Sequence, residues 1–128
     1  MDQQLSTGAV FFRSAAIAPT PFSQFVGLTA RLIAGEHLMS LFGRLEPGTV
    51  LPLHSHRHEQ ITYVLEGLAY LRIASEEREL GPGDGALVPG NVTHGIVRVG
   101  PEGCAIIEVY TPVREEYLAA MRQAPAVG

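Results

Sequence analysis

Apolar residues in this chain come in short runs divided by turn residues. The clearest alternation sets Ile61, Tyr63 and Leu65 against Thr62, Val64 and Glu66. A period of two places those sets on opposite faces of a strand. Runs rich in Val, Ile, Leu, Tyr and Phe predict strands at Val10–Arg13, Gly27–Ala34, His37–Leu45, Ile61–Glu66, Ala69–Ala74, Arg78–Leu80, Ala86–Val88, Thr93–Val99 and Cys104–Tyr110. Turn signals separate them, among them Glu46-Pro47-Gly48, Glu66-Gly67, Gly81-Pro82-Gly83 and Gly100-Pro101-Glu102-Gly103. Many short strands at such regular spacing predict an all-β sandwich or barrel. One helix is expected over Pro112–Gln123, with Thr111 as its cap and Pro112 at its first position, where the missing N–H costs nothing. Glu115 and Glu116 would then sit in its early turns, where the helix dipole favours acids. Ala15–Ser23 reads as a loop or extended arm, and Gln3–Thr7 and Ala124–Gly128 as frayed ends.

Composition narrows the picture. Hydrophobic residues are 46% of the 128 positions and charged ones 17%, enough apolar content for a core and too little charge for a disordered tail. The 14 Gly and 9 Pro are spread out, so no linker divides the chain, and one domain is expected over 1–128. The net charge is −4 and all nine basic residues are Arg. No basic patch is visible, so no nucleic-acid partner is expected. Without Lys, no side-chain Schiff base can form. The single Cys104 excludes an intrachain disulfide and a thiolate pair. No apolar run reaches the ~18 residues of a membrane helix. The start carries Asp2 and lacks a basic n-region, so a cytoplasmic location and no membrane partner are expected.

Histidines carry the chemistry. His54 and His56 are two apart, so on an extended strand they share a face, where a third imidazole from another strand could complete a metal site. The surrounding spacing runs Gly48, five residues, His54-Ser55-His56, three residues, Gln60, six residues, Gly67. After fifteen intervening residues come Gly83, five residues, Pro89, and then His94. These two segments resemble the paired motifs of the cupin family over roughly residues 44–110. The resemblance implies a cupin β-barrel of the jelly-roll type with a short C-terminal helix at about 112–123 and an N-terminal arm over about 1–26. It implies one divalent transition metal per chain, Ni, Zn, Mn or Fe, held by His54, His56, Gln60 and His94. Three positions depart from the family pattern: Gln60 where it often has Glu, Asn91 where it has Gly, and Arg98 where it ends in Asn. A neutral amide in place of a carboxylate would leave the ion its full charge, a stronger Lewis acid. On a straight strand His58 would share the face of His54 and His56 and so rivals Gln60 as the fourth ligand.

The stretch from Glu108 to Arg114 resembles the D-x-F-x-P-x-R ending of small cupins that linearise unsaturated uronates, with Glu for Asp and Tyr for Phe. Carried over by position, Glu108, Tyr110 and Arg114 would line the active site. The reading that follows is a metal-dependent isomerase or lyase acting on a small oxygenated or sugar-acid substrate. A non-haem iron dioxygenase and a non-enzymatic ligand-binding or sensor cupin are the alternatives. A homodimer is expected, paired through Leu5–Phe12 and Phe22–Val26.

Overall fold

The computed structural model describes residues 7–123 and the backbone of 3–4. It contains nine strands and one α-helix among those residues: β1 Gln3–Gln4, β2 Val10–Phe11, β3 Leu28–Ala34, β4 Met39–Leu45, β5 Leu51–His54, β6 Glu59–Ile73, β7 Glu76–Leu80, β8 Gly85–Val88, β9 His94–Thr111 and α1 Glu115–Met121. The expected frayed end Ala124–Gly128 lies outside the described residues, as do Leu5 and Ser6. Gln3 and Gln4 pair with Phe11 and Val10 in a two-stranded ladder.

β6 and β9 are long and antiparallel, and each runs through both walls of one seven-stranded sheet. The first half of β6 pairs with β8 and with the second half of β9, which continues through β4 to β3. The second half of β6 pairs with β7 and with the first half of β9, which continues to β5. These two walls enclose one core, forming the β-barrel of jelly-roll type that was expected.

Two predicted strand pairs are therefore fused. Ile61–Glu66 and Ala69–Ala74 belong to β6, and Thr93–Val99 and Cys104–Tyr110 to β9. The glycine at the presumed turn bends β6 without ending it. Gly67 has φ +76°, and a Cβ there would land on the carbonyl oxygen of Gly103, so the two paired strands approach, at an irregularity in their ladder, more closely than a side chain allows. β5 was not predicted, because Pro52 removes a ladder donor; its only partner in the sheet is β9.

Inward positions follow the period of two. Met39, Leu41 and Leu45 of β4, Val64 of β6, and Cys104 and Ile106 of β9 are buried with Ala30 and Leu32 of β3. This apolar filling gives way at one end of the barrel to buried polar groups: His58, Gln60, Thr62, His94, Glu108 and Arg114. Buried polar side chains are costly unless they find partners, so their concentration at one end marks a place to look for chemistry.

The helix begins later than expected. Thr111 is still paired with Glu59 at the end of β9, and its hydroxyl donates to the His37 carbonyl. It cannot also cap a helix, and the Thr111–Pro112 peptide is cis. Arg114 stands at the N-cap position without a side-chain cap bond, and Glu115 and Glu116 occupy the first turn as predicted.

Candidate metal centre

Three elements bring the histidines together. His54 ends β5, His56 lies in the loop after it, and His94 opens β9 directly opposite His54. One nitrogen from each of His54, His56 and His94 lies within 4.8 Å of the others. The loop holding His56 is tied to the loop before His94, where the Asn91 N–H donates to the His56 carbonyl at 2.7 Å. Asn91 adopts φ +66°. Asparagine enters that left-handed region more readily than most residues, which explains how it replaces the motif's glycine.

Hydrogen bonds fix which ring atom faces inward. His54 Nδ1 is 2.8 Å from the Pro52 carbonyl and His94 Nδ1 is 2.8 Å from the Val92 carbonyl. A carbonyl only accepts, so in the neutral form of each ring the hydrogen sits on Nδ1 and the lone pair on Nε2. Burial, then the nearby Arg114 and His94, push His56 down to about 4. Burial also lowers His94. Neutral imidazoles are the form that binds metals.

Gln60 completes the group. Its Oε1 is 3.1 Å from His56 Nε2 and 3.2 Å from His94 Nε2. Its Nε2 donates to Glu108 Oε2 at 2.8 Å and to Thr62 Oγ1 at 2.9 Å. A carboxylate cannot receive an amide oxygen, so the amide cannot be turned round. The lone pair of His94 Nε2 thus faces the lone pairs of Gln60 Oε1 with no hydrogen between them. Converging acceptors of this kind suit a cation, and three imidazoles with one amide oxygen suit a divalent transition ion.

His58 is buried, yet its nitrogens lie outside this group. Neither makes a hydrogen bond among the described residues, though Nε2 lies 3.4 Å from Glu115 Oε2, whose carboxylate also pairs with Arg57. The bend of the chain between His56 and Gln60 removes the straight strand on which His58 would have been a ligand.

Glu108 and Tyr110 share the inward face of β9, as expected. Thr62 and Gln60 are their cross-strand partners. Glu108 Oε1 accepts from the Tyr110 hydroxyl at 2.6 Å and Oε2 from Thr62 at 2.6 Å. Burial, reinforced by Glu108, raises Tyr110 well above an ordinary phenol, so the hydroxyl remains a donor. Arg98 and Arg72 do not pair with Glu108; Arg98 lies over the Tyr70 ring and Arg72 beside Glu77.

Arg114 lies over the Tyr117 ring, 3.6 Å from its centroid, and its Nε donates to Glu116 at 2.6 Å. Its Nη groups make no hydrogen bond among the described residues. A cavity of about 440 Å³ opens beside it, lined by His54, His56, Phe25, Gln24 and Glu116 among others. Below it, a space of about 20 Å³ reaches Gln60, His94 and Glu108, room for about one water. The sequence reading missed Thr62, Tyr117 and Phe25. Thr62 was legible in principle, since it lies two positions from Gln60 on the same strand face. Tyr117 and Phe25 come from the helix and the N-terminal arm, and no local pattern links them to the site.

The cupin domain family model matches residues 41–110. No curated protein matches the chain. An RmlC-like cupin from Shewanella frigidimarina NCIMB 400 is 28% identical with a TM-score of 0.76, over 84% of this chain and 94% of that one. KdgF from Halomonas sp. is 27% identical with a TM-score of 0.74, over 83% and 96%. A variant of Bacillus subtilis oxalate decarboxylase, 24% identical with a TM-score of 0.71 over 83% of this chain and 30% of that one, shares the fold.

Proposed function

Because this chain belongs to the cupin domain family, we propose that it is a metal-dependent isomerase or lyase acting on a small oxygenated or sugar-acid substrate. His54, His56, His94 and Gln60 would hold one Ni, Zn, Mn or Fe ion. The observation that carries this reading is the convergence of those donor atoms beside a cavity walled by Arg114. The tail from Glu108 to Arg114, which resembles that of cupins that linearise unsaturated uronates, favours a sugar acid. The reading includes a cytoplasmic homodimer paired through the N-terminal strands, in keeping with the exposed Phe11.

A bound divalent ion supplies Lewis acidity to a carbonyl or hydroxyl oxygen. Arg114 binds the substrate carboxylate through its free Nη edge, because Nε is taken by Glu116 and the stacked Tyr117 ring fixes the plane. Phe25 and Tyr117 narrow the mouth and exclude water. Glu108 moves the proton. Its two oxygens offer about four lone-pair sites, of which three are filled by Tyr110, Thr62 and Gln60, leaving one for the substrate.

The test is a panel of small uronates and hydroxy acids followed by NMR with metal-loaded and metal-stripped protein. Metal-dependent conversion without oxygen uptake is expected. Glu108→Gln should abolish turnover and leave metal content unchanged, because an amide at 108 still accepts from Gln60 and Thr62 and donates to the Tyr110 oxygen. Stoichiometric oxygen uptake would point to a dioxygenase, and saturable binding without conversion to a sensor.

A further inference from the structure

The four buried side chains Gln60, Thr62, Glu108 and Tyr110 form one hydrogen-bonded set. Tyr110 donates to Glu108 Oε1, Thr62 donates to Glu108 Oε2, and the Gln60 amide nitrogen donates toward both Glu108 Oε2 and Thr62 Oγ1. Turning the amide round would set its oxygen against Glu108 Oε2 at 2.8 Å. Both amide hydrogens of Gln60 point away from the histidines, and its oxygen therefore points toward them.

We infer that Thr62 is a positioning residue for the metal centre, acting through Gln60. The inference rests on the metal-binding reading above. Thr62 does not reach the histidines. Its hydroxyl accepts from the amide while donating to the carboxylate, so it holds the donor face of Gln60 in place. The same network joins the two unusual tail residues. Glu108 reaches across to Gln60 and Thr62, and the hydroxyl that Tyr110 has and a phenylalanine would lack fills the other carboxylate oxygen. A glutamate at position 60 would set a second acceptor against Glu108 Oε2, so the amide at 60 and the acid at 108 are a matched pair.

The experiment is titration of metal-stripped protein with Co(II), read by calorimetry and by the ligand-field absorption of the bound ion, on wild type, Thr62→Val and Thr62→Ser. Val matches Thr in shape and removes only the hydroxyl. The expected result is about tenfold weaker Co(II) binding with a changed absorption spectrum in Thr62→Val. Thr62→Ser should restore both. Thermal melts of the stripped proteins show whether each variant is folded. Folded Thr62→Val with wild-type affinity and spectrum would overturn the inference while leaving the metal centre intact. Wild type that binds no Co(II) would overturn the metal reading and this inference with it.

Discussion

At position 60 an amide does what a carboxylate could not, donating to Glu108 while presenting an oxygen to two histidines. Gln60→Glu should cost on the order of 2 kcal/mol near neutral pH, the penalty of opposed buried acceptors. The swap Gln60→Glu with Glu108→Gln should recover most of it, and urea denaturation of the metal-stripped proteins measures both. Equal losses in the single variant and the swap would contradict the matched pair. His56 supplies a pH dependence. Unfolded, it takes up a proton below about pH 6.5, whereas in the fold it resists until about 4. The unfolded chain therefore binds more protons through that window. This contribution to stability is full above 6.5 and is lost as the pH falls toward 4. His94 acts in the same direction. The melting temperature of metal-stripped protein should fall across that range, and His56→Gln should flatten the fall.

At the scale of elements, period-two alternation put Glu108 and Tyr110 on one face of β9 and Thr62 and Val64 on one face of β6, while Gln60 came from the motif spacing and Thr62 was not read as part of the site. The histidine spacings fixed which loops must meet. Strand ends were less legible. Glu66-Gly67 and the Gly100–Gly103 segment read as turns, since sequence alone cannot tell a turning glycine from one that lets two paired strands approach closely. The helix start was misplaced because the pairing of Thr111 with Glu59 comes from a strand about fifty residues earlier. Gly67→Ala tests this close approach. The positive φ and the Gly103 carbonyl both oppose a Cβ, so about 1–3 kcal/mol of stability should be lost in urea denaturation. An unchanged midpoint would mean that the strands can slide apart without cost.

Over the whole molecule, the two walls enclose an apolar filling that becomes polar at one end, and the cavity lies at that end. Helix α1 and the N-terminal arm close over it, with Phe22 packed on Tyr117 at 4.7 Å between ring centroids. Among the described residues no helix is long and apolar enough to cross a membrane. The fold was legible because motif spacing encodes which loops must meet. The substrate was not, because the arm and helix that shape the mouth carry no motif, and chemistry is set by the site rather than by the barrel. The central claim is that three histidines and one glutamine hold a metal ion, and elemental mass spectrometry tests it most directly on wild type, His54→Ala, Gln60→Ala and His58→Ala proteins. The account predicts near-stoichiometric metal in wild type and in His58→Ala, less in Gln60→Ala, and none in His54→Ala. Wild type without metal after reconstitution, or metal lost with His58 and kept without Gln60, would contradict it.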